Sequence, residues 1–147
     1  MDQGSRGLAG PALLVLAALL GGGVGGCADG VPPEIEGVSL LPDTHDPVGP
    51  YAVEALVRDD RGLDQVQLLW CERRVDAPLE CKKKVERYVT VVMENLGRDH
   101  FRGVIPGQPH GHVVEYYVLA IDTSGNQTAV PPEAPVNEVY DFQIVPF

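Results

Sequence analysis

The chain has 147 residues, 44% of them apolar and 22% charged, with a formal net charge of -10 and a pI near 4.6. The apolar fraction excludes a disordered chain, and the length admits one domain plus a short extra segment. The acidic surface repels nucleic acid and anionic lipid headgroups, so neither is an expected partner.

The first segment reads as an export signal. Met1 to Gly7 is short and polar, and Leu8 to Leu20 is continuously small or apolar. That stretch falls short of the ~20 apolar residues that span a bilayer. The glycine-rich run from Gly21 to Gly26 then breaks any helix. This is the layout of a cleaved secretory signal over residues 1–26. Val24-Gly25-Gly26-Cys27 resembles a bacterial lipobox. The resemblance implies that Cys27 becomes the acylated first residue of the mature chain. It also accounts for the odd member of three cysteines. More than one acyl chain is implied, as stable anchoring needs two hydrophobic signals. Ala28 after Cys27 implies the outer membrane, if the host has one. Residues 27–33 are then a lipidated tether of at most ~20 Å beyond the cysteine.

Residues 34–147 read as one β domain. Short apolar stretches alternate with turn residues, and no helical period is sustained. Strands are expected at Ile35–Leu41, Tyr51–Arg58, Leu63–Cys71, Glu86–Met93, Phe101–Ile105, Val113–Ile121 and Val139–Val145. Period-2 alternation places Val53, Ala55 and Val57 on one face, and likewise Val66, Leu68 and Trp70 after a bulge behind Leu63. Phe101, Gly103 and Ile105 form a third inward set. Val114, Tyr116, Val118 and Ala120 form a fourth, and Tyr140, Phe142 and Ile144 a fifth. Pro131, Pro132 and Pro135 mark an edge or a bulged lead-in to the last strand.

The stretches PPEIEGVSLLPDTHDPVGPYAVEALVRDDRGLDQVQLLW and GVIPGQPHGHVVEYYVLAIDTSGN resemble Ig-like and fibronectin type III-like modules of bacterial secreted proteins. The resemblance covers Val31 to Phe147 and implies a two-sheet antiparallel sandwich. The chain departs from animal fibronectin modules at Val114, where a corner tyrosine would fall, and in a cysteine-containing insertion.

Cys71 and Cys81 lie where the third strand turns back, and in an oxidising compartment a disulfide across that hairpin base is expected. Two metal constellations can be drawn. His110 and His112 share an end of the sandwich with His45, beside Asp43 and Asp46, a set suited to Zn²⁺ or Cu²⁺. Asp59, Asp60, Asp122 and Asn126 share the opposite end and offer oxygen ligands for Ca²⁺. Against both stands the habit of Asx side chains to close their own turns.

Enzyme readings fail on inventory. The mature chain has two serines, Ser39 and Ser124, with no Gly-x-Ser-x-Gly elbow and no phosphate-cradling loop. From Cys71 to Arg87, however, six basic residues face four acidic ones, a net +2, while the rest of the mature chain carries -12. Arg73, Arg74, Lys82, Lys83 and Lys84 are the candidate partner contacts, with an anionic envelope protein or polysaccharide as partner. The other use of such lysines is to guard an exposed edge strand. The expectation is therefore a monomeric, non-catalytic, cofactor-free module tethered to the cell envelope. The alternative is a metal-binding envelope lipoprotein using His45, His110 and His112.

Overall fold

Alternating apolar and polar residues need one covered face, and two such sheets cover each other. The computed structural model, which describes residues 30–147, has this form. The expected signal segment, residues 1–26, and Cys27, the expected lipidation residue, lie outside the described residues. Among the described residues nine strands occur: β1 (Glu34–Val38), β2 (Tyr51–Arg58), β3 (Leu63–Arg74), β4 (Val89–Val92), β5 (Glu94–Gly97), β6 (His100–Ile105), β7 (His112–Asp122), β8 (Gln127–Val130) and β9 (Tyr140–Ile144). One sheet has the order β1-β2-β6-β5. The other has the order β9-β7-β3-β4, with β8 also on β7. All pairings between strands are antiparallel. The fold is an all-β sandwich, and the two strand orders are those of Ig-like domains. Among the described residues, no helix is long and apolar enough to cross a membrane.

The inward sets read from the sequence meet in one core. Val53, Val57, Leu68, Val114, Tyr116, Val118 and Ile144 are completely buried, and Val66, Trp70, Phe101 and Phe142 pack with them. The bulge falls between Leu63 and Gln65, which restores the inward phase for Val66. Gly103 is small for a reason: a Cβ there would stand 3.1 Å from Leu68 Cδ2 and 3.2 Å from Met93 Cγ. The connections are tied to the core through buried tyrosines. Tyr116 donates its hydroxyl to the Ser39 carbonyl and accepts from the Leu41 N–H, both at 3.0 Å. Burial raises the pKa of that hydroxyl. Tyr51 does the same for the Asp46 carbonyl at 2.6 Å and the Gln108 N–H at 3.3 Å.

Three boundaries differ from expectation. The first strand stops at Val38 because its pairing slips between Ile35 and Gly37. Beyond it, Ser39 reaches across to Glu54, donating its N–H to the Glu54 carbonyl and accepting the Glu54 N–H at its hydroxyl. The strand expected at Glu86–Met93 shortens to β4. A 3₁₀ turn, Val85–Arg87, precedes it, and Tyr88 turns its ring into a buried cluster. The third strand runs on to Arg74, past the expected Cys71, whereas the last falls within one residue of expectation. β3 occupies one edge of β7 along its whole length, and the other edge is shared by β9 over His112–Tyr116 and β8 over Val118–Ile121. The proline segment between them cannot continue a ladder, which is why the edge splits there.

Candidate interaction surface

On β3, Leu69, Cys71 and Arg73 alternate with the core set and point to the outer face of the sheet. Cys71 is disulfide-bonded to Cys81, with the Cα atoms 6.0 Å apart. Closing a loop of this length contributes roughly 2–3 kcal/mol. The bond does not join two strands at a hairpin base, as the sequence suggested. It pins the β3–β4 insertion down onto the sheet. Turns follow one another along it, with Ala77 N–H to Arg74 O, Lys84 N–H to Cys81 O and Arg87 N–H to Lys84 O at 2.8–3.0 Å. The insertion covers a second apolar cluster of Leu69, Cys71, Cys81, Tyr88 and Tyr117, with Leu119, Ala134 and Val139 at its border. The rings of Tyr88 and Tyr117 meet edge to face, 5.4 Å between centroids.

A buried polar triad sits beside this cluster. Glu115, 7% exposed, accepts from Arg73 Nε at 2.7 Å through Oε2 and from the Tyr88 hydroxyl at 3.0 Å through Oε1. Burial first, and the Glu115 carboxylate second, push the Tyr88 hydroxyl well above the ordinary tyrosine range. Sequence reasoning missed Glu115 and Tyr88.

The basic group is thereby divided. Arg73 is set apart from the open surface: its side chain is 13% exposed and its Nε is paired with Glu115. Arg74 is exposed but held in a two-point pair with Asp76 at 2.9 and 3.0 Å. Lys82, Lys83 and Lys84 are exposed and form no ion pair among the described residues. Arg87 Nη1 reaches only the Glu80 carbonyl, at 3.4 Å. Leu79 (67% exposed) and Val85 (50%) stand among these cations. The lysines lie in the turn before the 3₁₀ segment, outside β4, so they do not line its open edge.

The metal constellations are corrected. Among the described residues, no three His, Cys, Asp or Glu side chains stand together as a cation site. His45 bonds the Val145 carbonyl through Nδ1 and stacks on Phe147, and His110 Nε2 bonds the His45 carbonyl, each bond 2.9 Å. His112 is drawn away to the Glu72 carboxylate. At the other end the Asx rule prevails. Asp59 Oδ2 accepts the N–H groups of Arg61 and Gly62. Asp122 accepts those of Ser124 and Asn126, and the Asn126 side-chain amide as well. Burial alone would raise the Asp122 carboxyl, but these hydrogen bonds prevail and hold it below the usual range. A cleft of about 480 Å³ opens nearby, lined by Arg58, Asp59, Asp99 and Phe101. Within it Arg58 bonds Asp99 at 3.0 Å, and Arg58 also pairs with Glu36.

No family model and no curated protein matches this sequence. Among solved structures the chain is similar to a cycloalternan-degrading enzyme from Trueperella pyogenes, at 10% identity and a TM-score of 0.39, over 71% of this chain and 14% of that one. The chain thus spans about a seventh of that enzyme's length.

Proposed function

We propose that the protein is an exported, lipid-anchored interaction module of the cell envelope, without catalysis, that engages an acidic partner through its disulfide-pinned insertion. One observation carries this reading. Lys82, Lys83, Lys84 and Arg87 stand together, free of ion pairs among the described residues, around exposed Leu79 and Val85, on a chain of net charge -10. Cations without internal partners beside exposed aliphatics suit a contact that is both charge-complementary and partly apolar. Anchoring rests on Val24-Gly25-Gly26-Cys27. The non-catalytic reading rests on the serines: Ser39 Oγ is engaged by the Glu54 N–H at 2.8 Å, and Ser124 lies in the Asp122 turn.

The test is partner capture from solubilised envelope by the full chain, compared with the triple variant Lys82→Ser, Lys83→Ser, Lys84→Ser. Capture should fall by roughly tenfold or more and weaken with added salt, since exposed charges are screened. Unchanged capture by the variant would end this reading.

A further inference from the structure

We propose that a pocket between the insertion and the proline segment takes one carboxylate, from an acidic side chain of a partner peptide, on Arg73 and Lys82. The proposal rests on the reading of the insertion as the partner surface and names the group it recognises. The pocket, about 210 Å³, is lined by Arg73, Lys82, Glu115, Pro78, Val136 and Val139, among others.

Arg73 is the reason to expect a ligand. Its guanidinium carries five donors, and buried donors are ordinarily paired. Nε is engaged by Glu115, but Nη1 and Nη2 make no hydrogen bond among the described residues. The side chain keeps 13% of its surface open and lines the pocket. Two coplanar nitrogens of this kind match the two oxygens of a carboxylate. The geometry is set in advance, because Glu115 holds the opposite edge of the guanidinium. Glu115 does not compete for it: one of its oxygens takes Arg73 Nε and the other the Tyr88 hydroxyl.

The walls narrow the ligand further. Arg73 and Lys82 are matched in the lining by Glu115 and Glu138, so its formal charges sum to zero. The local charge therefore suits a monoanion better than a phosphate dianion. The remaining walls are prolines, valines and Asn137, whose amide donates to Glu133, with no aromatic ring, which favours an acidic side chain over a uronate sugar. Next to the pocket, Ala77, Pro78 and Leu79 form a shallow apolar depression that can seat an aliphatic neighbour in the same peptide.

The probe is a fluorescent, end-capped peptide, Gly-Leu-Glu-Leu-Gly, followed by anisotropy with the purified full chain. It should bind, and its Gln counterpart should bind roughly tenfold or more weakly, as loss of a charge-assisted pair predicts. Arg73→Lys keeps the charge but loses the fork and should weaken binding roughly tenfold. Val136→Trp narrows the mouth without touching Glu115 and should abolish binding at an unchanged melting temperature. Galacturonate and inorganic phosphate should not displace the peptide at matched concentration. Equal binding of the Gln peptide, indifference to Val136→Trp, displacement by either competitor, or no binding at all would each overturn the pocket. If the lysine triple variant loses envelope capture while Arg73→Lys and Val136→Trp keep the peptide, the surface stands and the pocket falls. If capture is indifferent to the lysines, the surface reading itself falls.

Discussion

Replacing Glu115 with leucine should cost the domain about 3–5 kcal/mol, the usual effect of breaking a buried ion pair from one side. The change leaves the Arg73 guanidinium, 13% exposed, without its counter-charge and removes the acceptor of the Tyr88 hydroxyl. The double variant Arg73→Met, Glu115→Leu should recover most of that loss. Both side chains would then extend the apolar cluster of Leu69, Tyr88 and Tyr117. Urea unfolding of the two single variants and the double variant measures the coupling. A single-variant loss under about 1 kcal/mol would place the pair among solvated surface bridges instead. The raised pKa of Tyr88 gives a second readout. A hydroxyl whose pKa rises on folding stabilises fully below the unfolded tyrosine value of about 10, and that contribution fades as pH rises above it. Wild type should therefore lose stability in that alkaline window faster than Tyr88→Phe.

Cys27→Ser should move the protein from the membrane fraction to the soluble envelope fraction. In the proposed reading acyl chains on Cys27 are the anchor, because the apolar run Leu8 to Leu20 falls short of a bilayer span. A single acyl chain binds with K of only about 10⁴ per molar, so two or more are needed for stable retention. Fractionation of the variant checks this. Continued membrane association would mean that the N-terminal segment is retained and lipidation is not the anchor.

The sandwich was legible wherever one face of a strand is covered. Val53, Ala55 and Val57 alternate with Ala52, Glu54 and Leu56, and β2 runs from Tyr51 to Arg58 as the pattern dictates. β5 and β8 were not legible. Their sequences, Glu-Asn-Leu-Gly and Gln-Thr-Ala-Val, hold short edge positions through backbone pairing rather than a buried face. The candidate surface was half legible. The basic window and the disulfide partners could be read from composition and spacing. The fate of Arg73 could not, because it depends on Glu115, 42 residues away on another strand. One signal did exist. β7 reads His-Val-Val-Glu-Tyr-Tyr-Val-Leu-Ala-Ile-Asp, apolar at outward as well as inward positions. A strand of that kind is covered on both faces. Val113, Glu115 and Tyr117 on the outward side are indeed buried. The cover there is the insertion together with the proline segment, at whose junction the proposed pocket lies.

The central claim is that this insertion is where the partner docks, and site-specific photo-cross-linking tests it most directly. A photoreactive residue at exposed Leu79 should capture one envelope protein, with the adduct on an acidic segment of that partner. The same residue at Leu40, equally exposed at 68% but in the β1–β2 connection, outside the insertion, should capture little. The Leu79 yield should drop when Lys82, Lys83 and Lys84 are replaced by serine. Comparable yields at Leu79 and Leu40, or a Leu79 adduct indifferent to the lysines, would contradict the account.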